Sequence, residues 1–264
     1  MEEHAADPSH PRYRSLLMRH RLEVAAEKGM LADSAMIAHG RGEAYDYLLG
    51  ERTIPSAHIA SQVALRALHD AQHPVLSVNG NVVALAGDEM LRLAKKLGCP
   101  LEVNIFYRTP ERMESLLSDL NERKESLGID VEILGATPDA TIPGLKGPRA
   151  KCESKGILSA DVILVPLEDG DRCEALVAMG KTVIVVDLNP LSRSSRMASI
   201  TIVDEISRVA RNMLSFIEND DQLNDGENYE NAKTIQKSIL YITKSLSEKY
   251  DLQMPAVPRV FWKY

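Results

Sequence analysis

Residues 160–188 read ADVILVPLEDGDRCEALVAMGKTVIVVDL. Two short runs in this stretch, VILV and VIVV, are apolar at successive positions instead of alternating with polar residues. Strands of a parallel sheet have this composition when helices cover both faces of the sheet. We therefore expect the two runs to form central strands of an α/β fold.

Further strand-like runs lie on both sides of this stretch, and segments with helical periodicity separate them. In those segments, apolar residues recur at the spacing of one buried helix face. Strands that alternate with helices predict right-handed crossovers and an open, mainly parallel sheet with helices on both faces. The additional runs are 73–78, 101–106, 130–134 and 198–204, and the clearest helical stripes are Met113, Leu116, Leu117 and Leu120, and Ile206, Val209, Ala210, Met213, Leu214 and Ile217.

The chain divides into three parts that we expect to pack as one compact domain. Residues 1–72 form a mainly helical N-terminal segment, residues 73–217 contain the strands, and residues 218–264 comprise an acidic linker, a C-terminal helix and a tail. The first part carries an apolar stripe that includes Ile59 and Val63. Because we expect this stripe to exceed what one small sheet covers, it also predicts a two-fold dimer.

The composition excludes several classes of protein. The formal net charge of -7 argues against a general nucleic-acid binder, which usually carries a basic excess. The three cysteines, Cys99, Cys152 and Cys173, are widely spaced and show no C-x-x-C pairing, which argues against a disulfide framework or a zinc site. No apolar run reaches the roughly 18 residues of a membrane span. We expect a cytoplasmic protein that is not inserted in a membrane.

Polar loops follow four of the predicted strands. They cover residues 79–81, 107–109, 168–172 and 187–196. Ligands of parallel α/β sheets bind outside the carboxyl ends of the strands, so these loops are the informative places. Turns are rich in Asn, Asp and Gly in any protein, which explains one such loop, but four on one sheet edge predict a binding site.

The positions of the arginines, and the absence of several common active-site motifs, indicate what kind of ligand this site binds. The chain contains no phosphate-binding P-loop, no G-x-G-x-x-G after a strand and no G-x-S-x-G elbow. Arginine is concentrated instead in the N-terminal segment, where a solvated helix face is the alternative reading, and around Arg41, Arg193 and Arg196. Gly40 and Gly42 flank Arg41, which predicts a close backbone approach to a ligand. Guanidinium groups bind phosphates bidentately, so we expect a phosphorylated or nucleotide ligand.

The acidic loop after the fourth strand has three possible roles. Glu168, Asp169 and Asp171 are candidates for binding Mg²⁺, for hydrogen bonding to a ribose, or for capping the next helix. His39 and His73 are candidates for proton transfer, with a structural role as the alternative for each. The sequence leaves these alternatives open.

Several blocks of the chain resemble the archaeal phosphopantothenate synthetase family, also called 4-phosphopantoate–β-alanine ligase. The resemblance runs from about Ser9 to the last helix, and no counterpart is evident after about Lys249. One departure is Ser195, where the family pattern has alanine, and we expect no effect on nucleotide binding from it. The blocks are SHPRYRSLLMRHRL, IAHGRGEAYDYLLGERT, HPVLSVNGNVVAL, VNIFYRTPER, EILG, the segment from ADVILVPLEDGDRC to ITIVDEI with its DLNPLSRS motif, and NAKTI.

The resemblance implies a Rossmann-like homodimer that uses ATP and Mg²⁺ to join 4-phosphopantoate to β-alanine in coenzyme A biosynthesis. It further implies an acyl-adenylate intermediate with release of AMP and pyrophosphate. The family motifs place ATP contacts at Arg19, Arg41, Asp187, Leu188, Asn189, Arg193, Ser194, Glu205 and Ile206. Strand-end positions add Asn79, Asn81 and Arg108 as our own candidates for binding the organic substrate, and His39, beside Gly40, is a further candidate.

Two other functions stay open on the sequence alone. An ADP-forming ligase or kinase would transfer the γ-phosphate, and its nucleotide product would distinguish it. A non-catalytic nucleotide-binding regulator is possible on the same fold, because fold does not fix function.

Overall fold

The structure is a computed structural model that describes residues 7–167, 169–219 and 223–251. The predicted tail from 249 therefore lies almost entirely outside the described residues, as does Glu168. The helices are α1 (Tyr13–Glu27), α2 (Ser34–Leu49), α3 (Pro55–Asp70), α4 (Gly80–Leu97), α5 (Pro110–Leu127), α6 (Gly170–Ala178), α7 (Arg193–Met197), α8 (Ile206–Glu218) and α9 (Asn231–Tyr250). The strands are β1 (Pro74–Val78), β2 (Leu101–Val103), β3 (Ile133–Leu134), β4 (Ala140–Thr141), β5 (Lys151–Cys152), β6 (Val162–Leu164), β7 (Thr182–Val186) and β8 (Ile200–Ile202).

Six of the strands form one parallel sheet in the order β3-β2-β1-β6-β7-β8. β1 pairs with β2 on one side and with β6 on the other, with Leu76 opposite both Leu101 and Leu164. The VILV and VIVV runs supply β6 and β7, and both strands have a hydrogen-bonded neighbour on each side. The prediction of a parallel α/β sheet with these runs in its interior is confirmed. β4 and β5 form a separate antiparallel pair.

The second strand is shorter than its apolar run. The sequence favours a strand over 101–106, whereas β2 ends at Val103. Asn104 explains the difference, because its buried side-chain amide donates hydrogen bonds to the carbonyl oxygens of Arg149 and Lys151, at 3.3 and 3.0 Å. The chain beyond Asn104 is therefore free to leave the sheet and line its carboxyl edge.

Helices cover both faces of the sheet, as its buried strands require. On one face α4, α5 and α8 pack in the larger core, and the predicted stripe of α5 is buried there through Met113, Leu116 and Leu120. On the other face, α6 and the 140–160 segment cover Val75, Ile163 and Val183. α5 begins as the sequence predicts, because the Thr109 side chain accepts a hydrogen bond from the Arg112 amide.

The apolar stripe on α3 is covered by this chain itself. Val63, Ala64 and Leu68 are buried, because α3 packs on β8, α8 and α9. Ile59 alone of the predicted stripe is largely exposed, at 41 %. The expectation that this stripe exceeds the core is therefore wrong, and a dimer needs another surface. No helix within the described ranges is long and apolar enough to cross a membrane.

Candidate active site

A cleft of about 860 Å³ lies at the carboxyl edge of the sheet. Its walls come from α2, the start of α4, the loops after β2, β6 and β7, and the start of α8. The strand order reverses between β1 and β6, and this is the point at which open α/β sheets bind ligands. The predicted polar loops are therefore brought together as expected.

Arg41 lines the cleft from within α2. Residues 39–43 lie inside this helix. A Cβ on Gly40 would meet nothing within 4 Å, and a Cβ on Gly42 would lie 3.4 Å from Leu188 Cδ1. Gly42 therefore lets α2 lie close to the loop after β7. The close approach of the backbone to a ligand stays a prediction.

The loop after β7 is held by its own side chains. The Asp187 carboxylate accepts hydrogen bonds from the Asn189 amide, at 2.9 Å, and from the Ser192 hydroxyl. Burial raises the pKa of Asp187, and these hydrogen bonds together with nearby Arg41 oppose that rise. The Ser192 hydroxyl also caps α7 by accepting from the Ser195 amide. The loop is therefore organised before any ligand binds.

Arg193 extends over the start of α6. A Cβ on Gly170 would lie 2.7 Å from Arg193 Cγ, so only glycine leaves room for this side chain. The guanidinium pairs with Asp171 and Glu174 of α6, and Arg193 is among the residues that line the cleft. α6 thus sets the position of the arginine.

The acidic loop caps a helix. Asp169 accepts a hydrogen bond from the Arg172 amide at 3.0 Å, and its carboxylate also forms an ion pair with Arg149 at 2.8 Å. Asp171 pairs with Arg193 and lies outside the lining of the cleft. No group of three or more His, Cys, Asp or Glu side chains in the described ranges is arranged to hold a metal ion. The described residues do not fit a protein-built Mg²⁺ site.

A buried ion cluster fixes α2 against α8. Arg208 pairs with Asp46 of α2, with Nη1 at 3.0 Å from Oδ2, and its Nε donates to Asp204 Oδ1 at 2.8 Å. Both carboxylates favour the charged guanidinium and raise the pKa of Arg208 despite its burial. The neighbouring Glu205 caps α8 by accepting from the Ser207 and Arg208 amides. The cluster therefore positions Arg41 through its helix.

His39 lies on α2 in the cleft wall. Burial lowers its pKa below the usual value of 6.5, although the carboxylates of Glu43, Glu205 and Asp46 partly oppose that shift. Its buried Nε2 has no hydrogen-bond partner within the described part of the chain. Both observations favour the neutral form of the ring.

Asn79 and Asn81 line the cleft with side chains that hold the protein together. Asn79 caps α4 by accepting from the Val82 amide, and its Nδ2 donates to the carbonyl oxygens of Pro166 and Leu167. Asn81 Nδ2 donates to the Ala35 carbonyl at 3.1 Å. These amides tie the ends of β1 and β6 and the start of α2 together.

Two of the predicted ATP- and substrate-binding residues lie outside the lining that the described residues form. Arg19 reaches the cleft only through Glu43, whose carboxylate lies 2.7 Å from Arg19 Nη2. Arg108 donates to the Gly135 carbonyl at 2.5 Å, and burial lowers its pKa. The remaining ATP and substrate candidates line the cleft: His39, Arg41, Asn79, Asn81, Asp187, Leu188, Asn189, Arg193, Ser194, Glu205 and Ile206.

The lining also contains residues that the sequence did not single out. Phe106 and Arg112 come from the segment after β2, on either side of the predicted loop 107–109, and Arg149 comes from a short 3₁₀ turn, Pro148–Ala150. The VNIFYRTPER block contained the first two, but the strand-end position favoured Arg108 over Arg112. Arg149 lies in a stretch without strand or helix periodicity, so the pattern gave no sign of it.

Comparison with known proteins gives consistent matches. The chain matches the family model described as Phosphopantothenate/pantothenate synthetase over residues 56–245. It is 50% identical over 246 residues to a 4-phosphopantoate–beta-alanine ligase of Thermococcus kodakarensis, covering 90% of this chain and 92% of the relative. It is 45% identical over 243 residues to a protein of the same name from Methanosarcina mazei, covering 90% and 94%.

Proposed function

This chain belongs to the phosphopantothenate/pantothenate synthetase family, and we propose from that premise how it acts. It is a 4-phosphopantoate–β-alanine ligase, which joins the two acids in coenzyme A biosynthesis, and we expect it to do so in the cytoplasm. The observation that carries this function is 50% identity along nine-tenths of both chains. The DLNPLSRS loop lies in the cleft at the switch point of the sheet, which supports a ligand site there.

The proposed reaction uses ATP to activate a carboxylate, which is a poor electrophile by itself. The carboxylate of 4-phosphopantoate attacks the α-phosphorus of ATP, the bond to the β-phosphate breaks, and pyrophosphate leaves. The β-alanine amine then attacks the acyl-adenylate, the bond to AMP breaks, and the amide forms with release of a proton. Each step moves charge between anionic oxygens, so catalysis depends on positioning and electrostatics.

The nucleotide side of the cleft is formed by α2 and the chain after β7. Arg41 and Arg193 supply guanidinium groups for the phosphates, and the Asp187–Asn189 segment with Ser194, Glu205 and Ile206 surrounds them. Arg19 acts through Glu43, which it holds by an ion pair. The Asp187 carboxylate accepts a hydrogen bond from the Asn189 amide, and the Glu205 carboxylate accepts one from the Ser207 amide. These contacts hold both side chains in place, as a rigid nucleotide site requires.

We expect Mg²⁺ to accompany the ATP phosphates, since ATP-dependent enzymes generally use the magnesium complex. The described carboxylates near the cleft are committed to other partners, Asp169 to Arg149 and Asp171 to Arg193. We therefore assign no residue of this chain to the metal ion.

We infer that the ligase is a homodimer and that α2 forms its interface. The outward face of α2 carries Ile37, Tyr47 and Leu48, which are exposed by 67 %, 43 % and 37 %. Gly40 and Ala44 lie on the same face at helical spacing, and small residues allow close approach of a second helix. An apolar helix face of this kind is typical of an interface.

The reaction products test the mechanism. Incubation with ATP, Mg²⁺, 4-phosphopantoate and β-alanine should release AMP and pyrophosphate in step with the amide. Without β-alanine, labelled pyrophosphate should exchange into ATP only when 4-phosphopantoate is present. ADP as product would overturn the adenylate, and nucleotide binding without turnover would favour the regulator.

A further inference from the structure

β2 carries an acidic residue at a position where a covered parallel sheet is expected to be apolar. Glu102 is 1 % exposed and lies between the buried residues Leu101 and Val103. Burial raises the pKa of its carboxyl group to about 7, because a buried site disfavours the charged form. Glutamate is almost never fully buried without partners, so the contacts of this side chain indicate why it is present.

The Glu102 carboxylate holds the backbone of one irregular segment, residues 149–157, which packs on the same face of the sheet. Its Oε1 accepts a hydrogen bond from the Glu153 amide at 3.0 Å, and its Oε2 accepts one from the Ile157 amide at 2.7 Å. A Cβ on Gly156 would lie 2.1 Å from Oε2, so this path of the segment requires glycine there. The segment is therefore folded around the acid.

Asn104 holds the other end of the same segment. Its buried Nδ2 donates hydrogen bonds to the carbonyl oxygens of Arg149 and Lys151, at 3.3 and 3.0 Å. Alternate residues of an extended chain face the same side of a sheet, which explains why Glu102 and Asn104 both reach the segment. Together they bind two amides and two carbonyl groups of its backbone. The path of residues 149–157 is thus set from β2.

The first residue of this segment reaches the cleft. Arg149 lines the cleft and is almost fully buried, and its Nη1 lies 2.8 Å from Asp169 Oδ2. The same aspartate caps α6 by accepting a hydrogen bond from the Arg172 amide. The backbone of Arg149 is therefore held from β2, and its guanidinium group is held from the start of α6.

We propose that Glu102 and Asn104 are positioning residues of the ligase and that they act on the reaction by placing Arg149 in the cleft wall. The inference rests on the proposed function, in which charge moves between anionic oxygens. A cation assists such steps when its position is fixed in advance. Neither Glu102 nor Asn104 is among the described residues that line the cleft, so both act through Arg149.

A double-mutant cycle separates this role from a purely structural one. We compare Glu102→Gln, Arg149→Met and the double variant by kcat/KM for 4-phosphopantoate at pH 8, above the pKa of Glu102, so that a carboxylate is compared with an amide. Glu102→Gln should lower kcat/KM by about tenfold, less than the roughly hundredfold loss that a 1 Å misplacement can cause. In the Arg149→Met background the same substitution should change kcat/KM by less than about twofold, because the residue that it positions is gone.

The free energy of unfolding, measured in urea for each variant, should fall for Glu102→Gln in both backgrounds. Asn104→Ala removes the other anchor and should give the same pattern of activity. Arg149→Lys replaces Arg149→Met in the cycle if the methionine variant does not fold. Additive losses in kcat/KM would overturn the proposal, and so would full activity of the Arg149 variant, since the two anchors would then position nothing that the reaction uses.

Asp161→Asn is the matched control. The Asp161 carboxylate also accepts backbone hydrogen bonds, from the Gln72 and His73 amides at 2.8 and 2.9 Å, but it precedes β6 at the opposite edge of the sheet. This variant should lose stability and keep the kcat/KM of the folded enzyme. Equal losses of kcat/KM for Asp161→Asn and Glu102→Gln would overturn the positioning role. A wild-type enzyme that makes no amide from 4-phosphopantoate would instead overturn the proposed function.

Discussion

Arg208 Nη1 lies 3.0 Å from Asp46 Oδ2, and this contact joins α8 to α2 in the interior of the protein. Arg208 also binds Asp204, whose carboxylate accepts a further hydrogen bond from the Thr53 hydroxyl at 2.6 Å. The pair sits beneath the wall that carries Arg41. The position of that wall therefore depends on a buried ion pair.

Removing one charged partner from this buried cluster should lower the free energy of unfolding. Asp46→Ala leaves part of the Arg208 charge uncompensated, and we expect a loss of about 3–5 kcal/mol in the free energy of unfolding, measured in urea. Asp70→Ala is the control, since the Arg66–Asp70 pair is half exposed and solvent screens it. Equal effects of the two variants would show that burial of the cluster does not matter.

Arg41→Lys tests the nucleotide side. Lysine keeps the charge but loses the planar fork, so ATP-dependent kcat/KM should fall by about ten- to a hundredfold. Thermal stability without ligand should barely change, because lysine and arginine have similar helix propensities. Arg52→Lys, at an exposed position just beyond α2, should leave both quantities unchanged. Activity within about twofold of wild type would remove Arg41 from the site.

Gly170→Ala should displace Arg193 from the cleft. A Cβ there would approach Arg193 Cβ and Cγ to 2.8 and 2.7 Å, too close for the present side-chain path. We expect the KM for ATP to rise by about tenfold, the lower end of the range for a charged hydrogen bond. Gly87→Ala serves as control, because its new Cβ would make ordinary contacts at 3.4 Å outside the cleft. An unchanged KM would mean that Arg193 does not contact ATP.

Glu102 should make stability depend on pH. Burial raises its pKa to about 7 from 4.5, opposed by hydrogen bonds from the Ile157 and Glu153 amides and by Arg172. The folded protein then binds more protons than the unfolded chain between these pH values. The contribution is present below pH 4.5 and is lost as pH rises toward 7, by about 3 kcal/mol in total.

Comparison of urea midpoints at pH 5 and pH 7.5 measures this contribution. The wild type should lose more stability than Glu102→Gln over this interval, because glutamine does not titrate. The Gln variant is expected to be less stable at both pH values, since its amide offers one acceptor to the two backbone donors. Parallel pH profiles would contradict the assignment to Glu102.

Light scattering should give twice the chain mass of 29.2 kDa at micromolar concentration. Ile37→Asp, on the outward face of α2, should shift the protein toward the single-chain mass, because it places a charge in an apolar interface. Leu240→Asp on α9 is the control, since Leu240 has nearly the same exposure, 66 %. A wild-type mass of 29.2 kDa would reject the dimer.

The fold was predictable where buried helices and strands require apolar residues at a regular spacing or in a continuous run. All six strands of the parallel sheet follow apolar runs, and the stripe of α8 is buried as its spacing indicates. α2 is a helix that local propensity does not predict well, because Gly40 and Gly42 lower the helix propensity of residues 39–43. The contact at Leu188 and the buried ion pair at Asp46 outweigh that local cost, and neither long-range contact is visible in the sequence.

The site was predictable where a strand end carries its polar residues in sequence. The loop after β7 and the residues Asn79 and Asn81 lie in the cleft for that reason. The strand-end position favoured Arg108 over Arg112, but which arginine faces the cleft depends on how the chain leaves β2 at Asn104. Arg149 reaches the cleft through an irregular segment, whose path depends on tertiary contacts alone.

The reversal of strand order between β1 and β6 has a consequence for how this enzyme can be altered. Our substrate candidates Asn79 and Asn81 belong to segments before β6, and most of the proposed nucleotide contacts belong to segments after it. Substitutions after β1 or β2 can therefore change which acid is activated while the proposed ATP contacts around Asp187 stay intact. One side of the cleft can therefore change the acid that the enzyme uses, while the other side keeps its contacts to ATP.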